Sequence, residues 1–385
     1  MTKDRRSSRG GENAPPRRRL ALSVNASWNV INFRTGLISG LIDAGHEVVV
    51  LAPVDAYSSR LPALGVRFEE LPLDAKGLSP LGDLRLLWSY YRLFRKLGVD
   101  AYLAFTVKPN VYGTIAARLL GIPAINNVAG LGAIYAKNSA LTRLVSGLYK
   151  LAFRRSSVVF FQNEDDRQLF VAKRIVRPDQ AGLLPGSGVD LTRFVPSDKS
   201  QEGTGFTFLL TARMLWDKGI GEFVEAGRRL RREFPQARLQ LLGFADLPGA
   251  NAIPRRVIDE WVAEGAVEYL GETDDVRPYL READCVVLPS RYREGVPRSL
   301  LEAAAMAKPL IATNTPGCRD IVEAGVNGLI CSAGDTDSLL GAMREMVCKT
   351  AAERQQLGDA GRRLVQEKFS EEIVIRRYLA AIDSL

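Results

Sequence analysis

The sequence predicts an α/β fold made of two doubly wound parallel sheets with a cleft between them. Short apolar runs alternate with segments of helical period along the chain, which is the pattern of βαβ units. The alternation stops over residues 185–205, where Gly, Pro, Ser and Asp are frequent, and then starts again. With 385 residues, the chain is long enough for two such domains.

The first series of elements opens at Leu20 with a buried strand. Strands are predicted at 20–24, 47–52, 101–105, 122–126 and 157–161, and helices at 33–44, 83–97, 111–120 and 138–154. Because strands and helices alternate in this way, with Gly45 closing the first helix, the series predicts βαβ units and a parallel sheet.

The second series opens near Phe206 and repeats the alternation. Strands are predicted at 206–211, 238–242, 266–270, 284–288 and 309–312, and helices at 219–234, 274–282, 298–307, 336–347, 351–367 and 370–383. We therefore place one domain at 20–185, a second at 186–367, and a last helix at 368–385 that could cross back to the first domain. Ligands of such sheets bind at the carboxyl ends of the strands, so the site is expected in the cleft.

The composition narrows the class of protein. The chain is 46% hydrophobic and 25% charged, as in soluble globular proteins. No apolar run approaches the roughly 20 residues that a membrane-spanning helix needs. Four Cys, at 285, 318, 331 and 348, are too few and too irregularly spaced for a metal cluster or a disulfide framework, which suggests a reducing cytoplasm.

Much of the net charge of +8 lies at the amino terminus. Residues 1–19 contain seven basic and two acidic residues, so they carry +5 and leave +3 for the rest. Their Arg, Ser, Gly and Pro content predicts a disordered basic tail, and no apolar core of a secretory signal follows within it. A nucleic-acid binder would need a recognition motif, and the sequence has none, so no specific nucleic acid is expected as a partner.

The most informative segment follows the strand at 284–288. Glu294 stands just before a predicted helix and Glu302 lies inside it. Gly295 would allow a ligand close to the backbone, and Pro297 suits a first helical turn. Free N–H groups at a helix start bind phosphate, and a carboxylate can accept hydrogen bonds from two vicinal hydroxyls of a sugar. Taken alone, the pair is better explained by Glu294 as a partner of the helix dipole and Glu302 as an ordinary helix residue.

Two cations strengthen the case for a phosphate ligand. Arg213 and Lys218 lie on the loop after the strand at 206–211. Because the carboxyl ends of parallel strands share one edge of a sheet, these cations should lie near Glu294. Two cations there can neutralise a diphosphate leaving group.

Together these residues resemble retaining glycosyltransferases of family 4, which have the GT-B fold of two Rossmann-like domains. The resemblance is carried by Arg213, Lys218-Gly219, Glu294-Gly-Val-Pro and Glu302, and by Gly186-Ser-Gly-Val-Asp190, Thr315-Pro-Gly-Cys-Arg-Asp320 and Asn327-Gly-Leu. It covers about residues 20–380.

The resemblance implies a role for each matching residue. Arg213 and Lys218 would bind the donor diphosphate, and Glu302 would hold the ribose. Glu294, with backbone amides near Gly295 and Val296, would contact the donor sugar. The remaining donor-side positions would be Pro297 in the same loop, and Gly243 and Leu270 beside the base. Arg213, Lys218 and Glu294 would be the catalytic residues.

The resemblance also implies the chemistry. The anomeric configuration would be kept, with the departing phosphate as base. The donor would be a nucleotide sugar, UDP rather than GDP. No cofactor and no metal are expected, because fixed cations stabilise the diphosphate.

The first half resembles a particular branch of the family. Phe105-Thr-Val-Lys-Pro-Asn-Val-Tyr-Gly113 and Val128-Ala-Gly-Leu-Gly132 look like enzymes that add a hexose or N-acetylhexosamine to a polyprenyl-diphosphate-linked saccharide in cell-surface glycan assembly. The acceptor-side positions would be Lys108, Asn25, Arg34, Gly130 and Gly132. Lys108 could meet the acceptor diphosphate or be an ordinary loop lysine. The double Gly common in the first loop of the family is missing here.

His46 is the single histidine, and it lies between a helix and a strand. Many family members have a histidine near the reacting sugar, but this position favours a structural role, so we assign no histidine base. Asp190 is similarly interpreted as a turn residue.

Two basic amphipathic helices bear on membrane contact. For 84–97 we expect the apolar face to pack on the sheet, whereas for 138–155 we favour contact with an anionic membrane. A lipid-linked acceptor would place the protein in the cytoplasm, at the inner face of the membrane.

Three other functions remain as alternatives. A GT-B nucleotide-sugar epimerase and a glycosyltransferase with a soluble acceptor would share the donor site. A Rossmann oxidoreductase is disfavoured because no G-x-G-x-x-G follows the first strand.

Overall fold

The computed structural model describes residues 16–74, 79–131, 140–197 and 205–385. It contains two all-parallel sheets, one of seven strands and one of six. In both sheets the strand order reverses beside the first strand of the series, as in doubly wound folds. The predicted α/β class with two Rossmann-like domains is confirmed.

The first sheet has the order β3-β2-β1-β4-β5-β6-β7. Its strands are β1 (Arg19–Ser23), β2 (Glu47–Ala52), β3 (Arg67–Glu70), β4 (Ala101–Phe105), β5 (Ala124–Val128), β6 (Val158–Phe161) and β7 (Ala181–Leu183). Its helices are α1 (Ser27–Phe33), α2 (Thr35–Asp43), α3 (Pro80–Leu97), α4 (Thr114–Leu119), α5 (Ala140–Phe153) and α6 (Glu164–Ala172).

The second sheet has the order β10-β9-β8-β11-β12-β13. Its strands are β8 (Thr207–Thr211), β9 (Arg238–Leu242), β10 (Glu268–Tyr269), β11 (Cys285–Leu288), β12 (Leu310–Thr313) and β13 (Gly328–Cys331). The helices of this half are α7 (Ile220–Glu233), α8 (Arg255–Ala263), α9 (Arg277–Glu282), α10 (Arg298–Ala305), α11 (Thr336–Cys348), α12 (Ala351–Lys368) and α13 (Glu371–Asp383).

The last helix returns to the first sheet. Tyr378 of α13 is fully buried in the apolar cluster that α1 and α2 form with that sheet. Small residues on α2 allow the approach, since a Cβ on Gly40 would lie 2.5 Å from Ile375 Cγ2. The carboxyl-terminal helix therefore links the second half of the chain to the first sheet.

Helix α3 illustrates how local sequence sets an element. The Ser79 hydroxyl accepts a hydrogen bond from the Gly82 N–H, Pro80 occupies the first turn, and Gly98 ends the helix in the left-handed region. Its inner face packs on the sheet, as expected, but Leu84 and Trp88 point outward and are 62% and 59% exposed. The apolar face of α3 thus packs on the sheet as expected, and Leu84 and Trp88 add exposed apolar surface on its outer side.

Several elements differ from the sequence prediction. The helix expected at 33–44 is α2, Thr35–Asp43, and a separate helix that was not predicted, α1, precedes it with its C-cap at Arg34, whose backbone is not helical. The helix expected at 111–120 starts as a π-helical turn, Pro109–Gly113. Elements α1, β3, β7, β13, α6 and α8 were not predicted; the three strands have only three or four residues each, and α6 opens with three acidic residues.

In the part of the chain that the structure describes, no helix combines the length and the apolar character needed to cross a bilayer.

Candidate active site

Lys218 and Glu294 meet at the carboxyl edge of the second sheet. Lys218 lies on a 3₁₀ turn, Trp216–Lys218, after β8, and Glu294 lies on the loop after β11. The Lys218 Nζ is 2.5 Å from Glu294 Oε1, and both side chains are about nine-tenths buried. The prediction that these loops lie side by side therefore agrees with the geometry.

Two further side chains fix this ion pair. The Ser290 hydroxyl donates to Glu294 Oε1 over 2.7 Å, and the Lys218 Nζ lies 4.9 Å from the centre of the Tyr292 ring. Burial by itself lowers the pKa of Lys218, but Glu294 and Tyr292 outweigh it and the pKa is raised. Lys218 is therefore a permanent cation at this edge of the sheet.

Arg213, the second predicted cation, lies on the same loop as Lys218 but is exposed. Within the described ranges it takes part in no ion pair, in contrast to Lys218. A guanidinium at the rim of the cleft with no carboxylate partner can bind an incoming phosphate without first breaking an ion pair.

Glu302 lies on the inner side of α10. Its carboxylate accepts a hydrogen bond from Arg298 Nε over 2.8 Å, and both side chains are 14% exposed. Burial raises the pKa of Glu302, while Arg298 acts in the opposite direction. Arg298 was not among the predicted site residues, although its position four residues before Glu302 on a helix is a recognisable ion-pair spacing.

Gly243 and Leu270 follow neighbouring strands, as expected for residues beside a base. Gly243 has a φ of 140°, and a Cβ there would lie 2.0 Å from the Ala212 carbonyl oxygen. Its N–H donates to the Gly271 carbonyl, and its carbonyl accepts from the Tyr269 hydroxyl. Only glycine fits this junction of the β8, β9 and β10 ends.

Gly295 lies where the two domains touch. A Cβ at this position would lie 2.3 Å from both the Ala129 carbonyl oxygen and Gln162 Oε1 of the first domain. The Val296 N–H, predicted to face the donor sugar, instead donates to Gln162 Oε1 over 3.1 Å. Pro297 precedes α10 as its N-cap rather than lying in its first turn.

Changing Gly295 to alanine should therefore reduce the activity of this site. The Ala129 carbonyl belongs to the backbone and cannot move aside, so the added methyl group should push the two domains apart and lower kcat/KM by at least about tenfold. Steady-state kinetics measure the effect. Gly341→Ala is the matched control, since a Cβ there meets no atom within 4 Å. An unchanged kcat/KM in Gly295→Ala would show that this contact is not needed.

A pocket of about 260 Å³ opens at the carboxyl edge of the first sheet. Three of the predicted acceptor residues, Asn25, Lys108 and Gly130, line it. Thr106, also in the wall, has a φ of 67°, which is uncommon for a residue other than glycine, and its buried hydroxyl has no hydrogen-bond partner in the part of the chain that the structure describes. Gly132 lies outside the described residues.

Lys108 is held in place by a partner that sequence analysis did not find. Its Nζ lies 2.7 Å from Asp83 Oδ1 of α3, and the Tyr112 hydroxyl donates to the other carboxylate oxygen over 2.8 Å. Lys108 is 15% exposed, so it is not a solvated loop lysine. Neither of the two interpretations from the sequence, a contact to the acceptor diphosphate or an ordinary loop lysine, included this ion pair with Asp83.

Arg34 is a buried cation with an unsatisfied donor. It is 4% exposed, lies 4.2 Å above the Phe105 ring, and its Nε finds no hydrogen-bond partner among the described residues. Burial lowers the pKa of Arg34 to about 10. A buried guanidinium with an unsatisfied N–H at the end of β4 is suited to an anionic ligand.

His46 and Asp190 lie away from these groups. His46 stands at the amino end of β2, the opposite edge of the sheet, and its Nδ1 accepts from the Arg18 N–H. Asp190 Oδ1 accepts from the N–H groups of Thr192 and Arg193, as a turn residue does.

Comparison with known proteins identifies the family. Residues 205–349 match the family model described as "Glycosyl transferases group 1", and residues 32–186 match the "Glycosyl transferase 4-like domain".

Two relatives extend the comparison along the chain. The N,N'-diacetylbacillosaminyl-diphospho-undecaprenol alpha-1,3-N-acetylgalactosaminyltransferase of Campylobacter jejuni is 26% identical, over 95% of this chain and 98% of its own length. The UDP-Gal:alpha-D-GlcNAc-diphosphoundecaprenol alpha-1,3-galactosyltransferase of Escherichia coli is 25% identical, over 72% of this chain and 74% of its own length.

Solved structures show the same fold. Anabaena HepE, in complex with UDP and glucose, has a TM-score of 0.78 at 18% identity over 96% of this chain and 100% of its own. Sucrose-phosphate synthase from Thermosynechococcus elongatus has a TM-score of 0.80 at 19% identity over 96% and 99%. The two family models, the two relatives and the two-sheet fold agree: the chain is a glycosyltransferase and belongs to family 4.

Proposed function

We propose that the protein transfers a hexose or N-acetylhexosamine from a UDP-sugar to a polyprenyl-diphosphate-linked saccharide, with retention of anomeric configuration. The observation that carries this proposal is the buried Lys218–Glu294 pair at the cleft, with Arg213 unpaired beside it. It combines cations for a diphosphate with a carboxylate for a sugar hydroxyl.

On the donor side, each residue would have a distinct role. Arg213 and Lys218 would bind the diphosphate and stabilise the charge that develops as it leaves. Glu294 would accept a hydrogen bond from a donor hydroxyl, and Glu302 would accept from the ribose. Gly243 and Leu270 would flank the base, because they follow β9 and β10, the two strands on one side of β8.

The transfer step would take place on one face of the sugar. The acceptor hydroxyl forms a bond to the anomeric carbon while the bond from that carbon to the β-phosphate oxygen breaks. The acceptor proton passes to the departing phosphate, and UDP leaves with the electron pair. Fixed cations would supply the charge stabilisation that a metal gives in other transferases, so we expect turnover in EDTA.

On the acceptor side, the pocket lined by Asn25, Thr106, Lys108 and Gly130 would bind a phosphorylated saccharide. Arg34 adds a buried positive charge near the end of β4. The relatives from Campylobacter and Escherichia coli, whose names specify diphosphoundecaprenol-linked acceptors, support the same class of acceptor.

The experiment that tests this proposal compares three acceptors that carry one saccharide. The saccharide is offered linked to undecaprenyl diphosphate, linked to undecaprenyl monophosphate, or free in solution. Each acceptor is incubated with a panel of UDP-sugars, and the masses of the products are measured by mass spectrometry. We expect product with the diphosphate and little with the other two. Equal transfer to the free saccharide would instead favour a soluble acceptor.

A lipid-linked acceptor also calls for contact with a membrane, and one face of the first domain is suited to it. Helices α3, α4 and α5 cover the same side of the first sheet. Their outward surface carries seven exposed large apolar residues: Leu81, Leu84, Trp88, Leu119, Leu141, Leu144 and Leu151. Eight exposed basic residues lie on or just after these helices: Arg85, Arg92, Arg95, Lys96, Arg143, Lys150, Arg154 and Arg155.

Apolar side chains surrounded by basic ones favour an anionic bilayer. We therefore expect the triple variant Leu84→Ser, Trp88→Ser, Leu144→Ser to lose most of its binding to phosphatidylglycerol vesicles, measured by co-sedimentation. Val326→Ser, an exposed apolar residue of the second domain, is the control. Unchanged binding of the triple variant would rule out this face.

A further inference from the structure

One short segment of the first domain, residues 162–166, makes several contacts with the second domain. It begins after β6 and runs into the first turn of α6, where Asn163 is the N-cap. Gln162 is 8% exposed and Asn163 3%, so both amides are buried at the domain boundary.

The two amides contact the backbone on either side of Gly295. Gln162 Oε1 accepts from the Val296 N–H over 3.1 Å, and Asn163 Nδ2 donates to the Glu294 carbonyl oxygen over 3.1 Å. One backbone donor and one backbone acceptor of the loop are thus satisfied from the opposite domain. Since Gly295 has no side chain, segment 162–166 can approach the backbone of the loop that contains Glu294 closely.

A third contact anchors the same loop. The Asp166 side chain is fully buried, and its Oδ1 accepts from Arg293 Nε and Nη2 over 3.0 and 2.9 Å. Nearby, Arg319 Nη2 lies 2.7 Å from both carboxylate oxygens of Asp165. The loop from Arg293 to Val296 is therefore bound at three successive places by the first domain.

We infer that Gln162 and Asn163 are positioning residues that complete the donor-sugar site from the acceptor domain. They act through Glu294: by fixing the backbone at Glu294 and Val296, they direct the Glu294 carboxylate toward Lys218 and Ser290. The site for the sugar is then assembled only when the two domains are closed, which couples transfer to closure. This inference rests on the proposed role of Glu294 at the donor sugar.

The test compares Gln162→Ala with Gln162→Glu. The glutamate variant keeps an oxygen that can accept from the Val296 N–H, whereas alanine does not. We expect Gln162→Ala to lower kcat about tenfold, as for one lost hydrogen bond, and to leave the Kd for UDP alone within twofold. Gln162→Glu should recover most of the loss. Gln168→Ala is the matched control, because Gln168 is an exposed glutamine of α6 whose side chain, among the described residues, bonds to Glu164 rather than to the second domain.

A second readout does not depend on transfer. Hydrogen exchange measured by mass spectrometry on a peptide covering 290–300 should be faster in Gln162→Ala than in the wild-type protein, and near wild type in Gln162→Glu. If exchange in that peptide is the same in all three proteins, the inference is wrong. If the exchange differs as expected but the wild-type protein transfers no sugar, the positioning holds and the proposed function fails.

Discussion

Replacing Lys218 with methionine should lower kcat/KM for the donor by about 100- to 1000-fold, corresponding to roughly 3 to 4 kcal/mol. Methionine keeps much of the length of the side chain but removes the charge that would face the departing diphosphate. The Lys218 side chain is 12% exposed, so water can replace the lost charge only in part. Steady-state kinetics with a UDP-sugar measure the change.

The same substitution also leaves Glu294 without its ion-pair partner. An uncompensated buried carboxylate destabilises a fold, so Lys218→Met should unfold at lower temperature than the wild-type protein. Adding Glu294→Gln removes the uncompensated charge, and the double variant should regain thermal stability without regaining activity. Lys368→Met, on the exposed side of α12, is the control for losing a lysine. Wild-type kcat/KM in Lys218→Met would contradict the assignment.

Replacing Glu302 with alanine should weaken UDP binding by at least about 100-fold. A carboxylate that accepts from both ribose hydroxyls makes two charge-assisted hydrogen bonds, each worth roughly 1.5 to 3 kcal/mol. The Glu302 side chain is 14% exposed, which keeps water from substituting for it. Isothermal titration with UDP measures the loss, and Glu345→Ala on the exposed side of α11 is the control.

A modified ligand separates the role of Glu302 in binding from any role in folding. The wild-type protein should bind 2'-deoxy-UDP more weakly than UDP, whereas Glu302→Ala should no longer distinguish the two. If the variant discriminates between them as well as the wild-type protein does, Glu302 does not hold the ribose, and its part is confined to the ion pair with Arg298.

Local sequence predicts much of the fold and of the donor side of the site. The parallel strands are recognisable because strands buried on both faces carry continuous apolar runs, as in residues 48–52 of β2. The proximity of Lys218 and Glu294 follows from a general property of parallel sheets, that consecutive carboxyl ends meet at one edge. Elements such as β3, with the sequence Arg-Phe-Glu-Glu, lack that signal because one side of an edge strand is polar.

Other contacts depend on how whole elements pack, which the sequence pattern does not specify. Asp83 reaches Lys108 because α3 lies beside the loop after β4. The sequence around either residue does not indicate that the two form an ion pair. Gln162 and Asn163 meet the Glu294 loop only through the docking of two domains, across more than 130 positions of sequence. Arg34 is recognisable as unusual only after its burial is known.

The measurement that tests the central claim most directly is the mass of a lipid-linked acceptor before and after incubation with UDP-sugars in EDTA. We predict that the undecaprenyl-diphosphate-linked saccharide gains the mass of one hexose or N-acetylhexosamine, with one UDP released per product. An unchanged acceptor mass with every donor, while the UDP-sugar itself is converted to an epimer, would contradict the account.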